Sequence, residues 1–168
     1  MFYDYLTLSS ISVRRAVVDD AGGILACLAE AFAPFRDDYA AAAFADTTLD
    51  GDSIHERLRS MTVFVAVEAD FVIGTIACGV LENGDGHLRG MAVVPKRQGC
   101  GVARMLIEAA ERELAARGVR RITLDTTAPL ARAARFYASC GYRRTGATTD
   151  FFGMPLIEFE KILAPVQR

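Results

Sequence analysis

The chain has 168 residues, of which 52% are hydrophobic and 24% charged, and its formal net charge is −2. These values are typical of a soluble globular protein with one substantial core. They argue against a general nucleic-acid-binding protein, because there is no excess of positive charge to displace counterions from phosphates. No apolar run approaches the ~20 residues needed to cross a bilayer, so no membrane span is expected.

The first residues and the cysteines indicate the cellular setting. The first ten residues are acidic and lack the apolar segment of a signal peptide, so we interpret 1–10 as an N-terminal extension and 11–168 as one domain. There are four widely spaced cysteines, which are Cys27, Cys78, Cys100 and Cys140. Without a C-x-x-C pair, reduced thiols in a cytoplasmic protein are expected. The two histidines, His55 and His87, have no metal-ligand spacing, so no metal site is predicted.

Hydrophobic periodicity and turn residues predict about seven strands and about four helices. Strands are predicted at 11–17, 62–68, 71–80, 87–94, 119–126, 142–148 and 154–163. Helices are predicted at 21–32, 54–61, 102–117 and 129–140, with a further helix-prone stretch at 39–45. Asp19 and Asp20 are expected to cap the first helix, and Ala69 and Asp70 to form a tight hairpin turn.

The order of these elements predicts the fold class. The strand at 119–126 follows a helical crossover, so we expect it to lie parallel to the strand at 87–94. The other neighbouring strands are expected to be antiparallel. The result is a mixed α/β (α+β) domain, in which helices flank a mixed and mostly antiparallel sheet.

The stretch 91–104, MAVVPKRQGCGVAR, joins a strand to a helix through a basic loop with two glycines. The free N–H groups and positive dipole end of the helix favour an anion there, and glycines let a phosphate approach closely. A dinucleotide fingerprint would need glycine where Arg104 stands, and a Walker A loop would need Gly-Lys-Ser/Thr. A purely structural turn is the alternative, but it does not explain why Lys96, Arg97 and Arg104 surround the glycines.

This arrangement closely resembles the GNAT superfamily of N-acetyltransferases. The family's signature, Q/R-x-x-G-x-G/A after a strand ending in A-V-x-P, is similar to Ala92-Val93-Val94-Pro95 and Gln98-Gly99-Cys100-Gly101-Val102-Ala103. A second landmark, an alanine and then a tyrosine before x-x-x-G-F/Y, is similar to Ala133 followed by Tyr137-Ala138-Ser139-Cys140-Gly141-Tyr142. The resemblance extends over nearly the whole chain, from residue 11 to residue 163.

The resemblance implies that the protein binds acetyl-CoA. The pyrophosphate would lie on backbone amides of the loop, with help from Arg97 and Arg104, and the pantetheine arm would pair with the backbone of the preceding strand. The implied cofactor-binding residues are Met91, Ala92, Val93, Arg97, Gln98, Gly99, Cys100, Gly101, Val102, Ala103 and Arg104. The chain departs from the family at Leu130, where many members carry an asparagine that contacts the cofactor.

By analogy with the family, Tyr137 is the predicted general acid. A thiol has a pKa of about 8.5 and a tyrosine about 10, so protonating the departing thiolate is uphill by about 2 kcal/mol, which a positioned hydrogen bond can offset. The alternative is a tyrosine that only packs at a helix end. Cys100 and Cys140 lack the partners of a nucleophile and are expected to serve in the loop and in packing.

The general base is less clearly indicated by the sequence. His87 lies five residues before Ala92, at a position where some family members carry a catalytic glutamate, and a histidine there would titrate in a useful range. The alternative is a histidine at the edge of the turn that includes Gly86. Three reserve candidates, each of which could equally be a solvated charge, are Glu68, Glu82 and Asp125.

The predicted reaction is direct acetyl transfer to a primary amine of a small molecule or peptide, in a ternary complex. The net charge mildly favours a cationic acceptor. Tyr39, Phe151 and Phe152 are candidates for the acceptor pocket or, alternatively, for the core. A catalytically silent acyl-CoA-binding or sensor domain is the rival interpretation, and a homodimer is kept open.

Overall fold

The computed structural model describes residues 10–165, so nearly all of the predicted extension at 1–10 lies outside the described residues. In this range the chain forms seven strands: β1 Ser12–Arg15, β2 Thr62–Glu68, β3 Phe71–Val80, β4 Gly86–Val93, β5 Arg121–Thr127, β6 Arg143–Phe151 and β7 Met154–Ile162. It also forms five α-helices: α1 Ala21–Phe32, α2 Ala41–Thr48, α3 Gly51–Ser60, α4 Val102–Ala116 and α5 Ala131–Ser139.

The strands form one mixed sheet in the order β1-β2-β3-β4-β5-β7-β6. The β4–β5 pair is parallel, as the helical crossover between them predicts, and every other neighbouring pair is antiparallel. The predicted fold class is therefore confirmed. The helix count is five rather than about four, because the alanine-rich stretch near residue 41 forms a helix of its own.

Two amphipathic helices hold the middle of this sheet. The apolar face of α1 buries Ile24 and Leu28, and the apolar face of α4 buries Leu106 and Leu114. Both helices contact β3 and β4. Burying such side chains contributes roughly 1.5–3 kcal/mol each, so the strand that leads to the glycine loop is firmly positioned. Within residues 10–165, none of the helices is long and apolar enough to cross a bilayer.

One predicted helix cap is wrong. Asp20 does precede α1, but its side chain does not bond to the helix N–H groups. Its carboxylate instead accepts from the backbone N–H of Val17 at 2.7 Å and from Arg14 at 2.8 Å, because a short 3-10 turn places it over β1. The predicted hairpin turn is confirmed, with φ of 47° at Ala69 and 66° at Asp70.

The β4 and β5 strands separate after a short paired stretch. They are in register only at Gly86–Ile122, His87–Thr123 and Leu88–Leu124. Beyond these pairs, the register of β4 against β3 shifts by one residue between Thr75 and Ala77, which marks a β-bulge. A bulge bends its strand and changes its twist, so β4 diverges from β5 and a cleft opens between them.

Candidate active site

Two cavities lie along this cleft. The loop cavity has a volume of about 390 Å³ and is lined by β4, the glycine loop and α5. The inner cavity has a volume of about 340 Å³ and is lined by β4, β5, α2, α3 and α5. Both lie in the size range of small-molecule sites. The residues that line both cavities are Phe32, Met91, Leu130 and Tyr137.

The loop cavity ends at a backbone anion site. Gly99 and Gly101 have φ of 78° and 83°, in the left-handed region that disfavours other residues, and Gly101 is the N-cap of α4. A Cβ added at Gly101 would meet no atom within 4 Å, so the space in front of it is open. The first N–H groups of α4 lack partners within the helix, and the helix dipole adds positive potential. This end of the cavity suits a phosphate.

Side chains tie the loop to its neighbours. Gln98 donates from Nε2 to the carbonyl of Val93 at 3.0 Å, and its Oε1 accepts from Arg132 Nη1 at 3.1 Å. The loop is thereby fastened both to β4 and to α5. Arg132 lines the loop cavity and was missed by the sequence interpretation. Its signal was available, because it immediately precedes the landmark residue Ala133.

Nine of the eleven predicted cofactor-binding residues line the loop cavity, and Cys100 and Val102 do not. Cys100 is exposed and Val102 is buried beneath the loop, so these two can contribute only through their backbone. Arg97 lines the cavity while donating to Glu68 at 2.6 Å. That pairing occupies Glu68, and this reserve base does not line the inner cavity.

The strand that borders the loop cavity has an open edge. Met91, Ala92 and Val93 follow the last residue pair between β4 and β5, so their backbone groups on the β5 side have no strand partner. Extended ligands with amide groups bind such edges as an added strand. This open edge coincides with Met91, Ala92 and Val93, the residues whose backbone the family resemblance assigns to the pantetheine arm.

Tyr137 lies at the junction of the two cavities. Its ring packs against Tyr142 and Phe159, with centroid distances of 6.2 Å to each, and against Phe136 at 5.8 Å. Within residues 10–165 its hydroxyl makes no hydrogen bond, and burial raises its pKa above the usual value for tyrosine. The hydroxyl is thus protonated at neutral pH and available as a donor to a group in the cavities.

His87 lines the inner cavity with its ring fixed by β5. His87 Nδ1 lies 2.9 Å from Thr123 Oγ1, which can also donate to the carbonyl of Gly86 at 3.4 Å and then accepts from Nδ1 in the tautomer that carries its proton there. In that tautomer Nε2 is the basic nitrogen, and it lies 3.8 Å from Asp125 Oδ2. Burial lowers the pKa of His87, an effect that the Asp125 carboxylate partly opposes. A neutral imidazole with an adjacent carboxylate is arranged to accept a proton.

Of the remaining predicted residues, some line the inner cavity and others lie on the surface of the protein. Phe151 lines the inner cavity, as does Tyr39, whose hydroxyl pairs with Thr127 Oγ1 at 2.6 Å. Phe152 lies in the β6–β7 turn, is 53% exposed and lines neither cavity, so it does not form the pocket. Glu82 is also an exposed turn residue outside both cavities. Among residues 10–165, no group of His, Cys, Asp and Glu side chains is arranged to hold a metal ion.

Comparison with known proteins identifies a related family. The model of the acetyltransferase (GNAT) family matches residues 25–142, more than half of the chain. This range contains the glycine loop, both predicted catalytic residues and most of each cavity wall. No curated protein matches the sequence.

Several solved structures are similar in fold. A GNAT-family acetyltransferase from Staphylococcus aureus Mu50 is 16% identical, with a TM-score of 0.77, 92% of this chain covered and 100% of that chain. The PaiA N-acetyltransferase of Thermoplasma acidophilum, in complex with coenzyme A, is 18% identical, with a TM-score of 0.75 and coverage of 92% and 99%. YncA of Salmonella typhimurium, with its cofactor acetyl-CoA, is 22% identical, with a TM-score of 0.72 and coverage of 95% and 98%. At these identities the likeness establishes the fold.

Proposed function

Because the chain belongs to the GNAT family of acetyltransferases, we propose that it transfers the acetyl group of acetyl-CoA directly to a primary amine of a small molecule or peptide, within a ternary complex. The observation that carries this proposal is the meeting of two cavities at Met91 and Tyr137. One cavity ends at a phosphate-binding loop, and the other contains a histidine suited to act as a base.

The loop cavity accounts for the donor. The pyrophosphate of acetyl-CoA would lie on the N–H groups at the start of α4, with Arg104 and Arg132 beside it. The pantetheine amides would pair with the open edge of Met91 to Val93, and this pairing would direct the thioester toward Tyr137. A backbone N–H of the same strand would hold the thioester oxygen as negative charge develops on it.

The inner cavity accounts for the acceptor and its proton. An alkylammonium ion has a pKa of about 10.4, so the acceptor must lose a proton before or during attack. His87 Nε2 would take that proton, directly or through water, and Asp125 at 3.8 Å would stabilise the imidazolium that forms. With His87 as the general base, neither Glu68 nor Glu82 is required to accept the proton of the amine.

The reaction then closes without any other reactant. The amine nitrogen forms a bond to the thioester carbon, the carbon–sulfur bond breaks, and the thiolate leaves as coenzyme A. Tyr137 would donate a hydrogen bond and finally its proton to that sulfur. The second proton that the nitrogen loses as the amide forms would restore the Tyr137 hydroxyl through water, and His87 would release the first proton to solvent. Burial raises the pKa of Tyr137, which keeps the hydroxyl protonated as a hydrogen-bond donor but makes full proton transfer to the thiolate more uphill than for an exposed tyrosine.

Two measurements test the proposal. Calorimetric titration should show tight binding of acetyl-CoA, and an amine panel scored by thiol release should identify at least one acceptor. Absence of binding at millimolar acetyl-CoA would refute the donor half. Tight binding without turnover on any amine would instead favour a silent acyl-CoA-binding domain.

The cellular setting is a further part of the proposal. All four cysteines are free thiols, and three of them are buried, which supports a reducing, cytoplasmic location. We retain 11–168 as the extent of the domain and a homodimer as the assembly to test. Light scattering of the purified protein decides between one copy and two.

A further inference from the structure

Arg57 lies in the inner cavity without a partner. It is a part-buried residue of α3, and within residues 10–165 its guanidinium makes neither a salt bridge nor a hydrogen bond. The other arginine of this cavity, Arg89, is paired with Asp46 at 3.3 Å. Asp46 acts on Arg57 only through its charge, because it is bonded to Arg89, and a sheltered charge without a hydrogen-bonded partner has a cost that an anionic ligand would remove.

The bulge in β4 makes room for this guanidinium. Gly90 has a φ of 60°, and a Cβ at this position would collide with Arg57 Nη1. The guanidinium therefore lies directly against the backbone of the residue before Met91. Since Met91 borders both cavities, the charge is held close to the place where donor and acceptor would meet.

The charges around Arg57 leave it free for a ligand. Burial and, to a smaller extent, the charge of Arg89 lower the pKa of Arg57 to about 10, and Asp46 partly opposes this effect. At neutral pH the guanidinium still carries its charge. Of the two carboxylates in the cavity, Asp46 is bonded to Arg89 and Asp125 lies beside His87. A molecule with a positive and a negative group would therefore find a complement for each.

The rest of the cavity adds two requirements. Its walls are apolar side chains from five different elements or loops: Phe32, Leu124, Leu130, Phe151 and Leu156. Thr126, also on the wall, has a buried hydroxyl without a hydrogen-bond partner in the described part of the chain. An acceptor with an apolar body and an additional polar group suits these surroundings better than a polycation.

We propose that Arg57 binds a carboxylate of the acceptor, so that the preferred substrate is a small amine that also carries a carboxylate, such as an amino acid with an apolar side chain. This inference rests on the proposed function, and it replaces the mild expectation of a cationic acceptor. A guanidinium suits the task because its N–H groups match the two oxygens of a carboxylate.

The test uses matched pairs of amines. L-leucine, L-methionine and L-phenylalanine are each compared with their carboxamides, which keep the amine and the side chain but lack the negative charge. Amides have more acidic ammonium groups, so the informative quantity is the change in the acid-to-amide ratio of kcat/KM between variants. In Arg57→Met that ratio should fall by about 10- to 100-fold, as expected for loss of a charged hydrogen bond, with the amide rates retained.

Arg59→Met is the matched control. Arg59 lies on the same helix, is 70% exposed and pairs with Glu56, so its loss should leave the ratio unchanged. A wild-type enzyme without a preference for the acids, or an Arg57→Met variant that keeps the preference, would overturn the inference. Turnover of the amides but not of the acids would also overturn the inference, and it would leave the proposed function intact.

Binding provides a second readout that does not depend on turnover. Each acid and its amide are titrated into protein saturated with coenzyme A. Tighter binding of the acid that is lost in Arg57→Met supports the inference, and equal binding or no binding of either member overturns it. Unchanged coenzyme A affinity in Arg57→Met shows that the variant is folded.

Discussion

Tyr137 is held by three aromatic neighbours while its hydroxyl remains without a partner in the described structure. Tyr137→Phe keeps this packing and removes only the oxygen. If the hydroxyl serves the leaving thiolate, kcat should fall by about 10²- to 10⁴-fold, the usual contribution of a positioned acid, with little change in acetyl-CoA affinity. Steady-state kinetics with an identified amine and calorimetry measure the two quantities.

Tyr142→Phe is the control for that substitution. Its hydroxyl donates to Glu111 at 2.9 Å and it lines neither cavity, so its loss should affect stability but not turnover. Normal turnover in Tyr137→Phe would exclude the acid role. Equal losses in both variants would indicate an effect of packing.

His87 should determine the acidic limb of the pH–rate profile. Burial lowers its pKa from about 6.5, so the basic, neutral form persists to lower pH than for an exposed histidine. In the wild-type enzyme kcat/KM should fall as the pH decreases through this lowered pKa, because protonated Nε2 cannot accept the proton of the amine. In His87→Ala the rate should be lower and this limb absent.

His55→Ala is the matched control, since His55 is exposed on α3 and lines neither cavity. This variant should retain the wild-type profile. If the acidic limb survives in His87→Ala, another group is the base, and Asp125 is then the first candidate. Its side chain is the nearest carboxylate to His87.

At the scale of elements, two contributions of a glycine in the loop can be measured separately: the backbone conformation that it allows and the phosphate binding that we propose for it. Gly101 and Gly84 have φ of 83° and 87°, and a Cβ at either would meet no atom within 4 Å. Replacing either by alanine should therefore cost a similar amount of stability, about 1–2 kcal/mol. Only Gly101→Ala places a methyl group where a phosphate would approach, so only it should weaken acetyl-CoA binding.

For each variant, chemical denaturation measures the free energy of unfolding and calorimetry measures the affinity for acetyl-CoA. The Gly84→Ala variant shows how much of any loss comes from backbone strain. Equal acetyl-CoA affinity in Gly101→Ala and Gly84→Ala would exclude a phosphate at the start of α4. Weaker binding in Gly101→Ala alone would support it.

The elements also show which parts of the structure are encoded locally. The predicted bounds of α1, β2 and β3 agree with the structure residue for residue, because each is an apolar pattern bounded by turn or helix-ending residues. The bulge at Gly90 was not predicted, since it is defined by the pairing of β4 with β3. For the same reason the position of Asp20 beside Arg14 could not be read from capping preferences.

For the molecule as a whole, family, fold and acetyl-CoA as cofactor follow from motifs that are contiguous in sequence. The loop residues lie in one stretch and carry their own signature, so they could be predicted as a group. Arg57, Asp125 and Arg132 come from α3, β5 and α5 and reach the cleft only after folding. Their types and spacing are ordinary for exposed helices and strands, so the sequence alone indicates no binding role for Arg57, and for Arg132 the only signal is its position next to Ala133.

The short pairing of β4 with β5 has a mechanical consequence. Three residue pairs join β1–β4 to the remaining three strands, so without cofactor few backbone hydrogen bonds connect these two parts of the sheet. Acetyl-CoA would lie in the cleft between β4 and β5 and connect the two parts of the sheet. Amides of 89–93 on the open edge should then exchange with deuterium quickly in the free enzyme and slowly in its complex, whereas amides paired with β3 should change little. Release of coenzyme A would therefore break contacts that join the two parts of the sheet. Its rate would then depend on how firmly the three β4–β5 residue pairs hold those parts together.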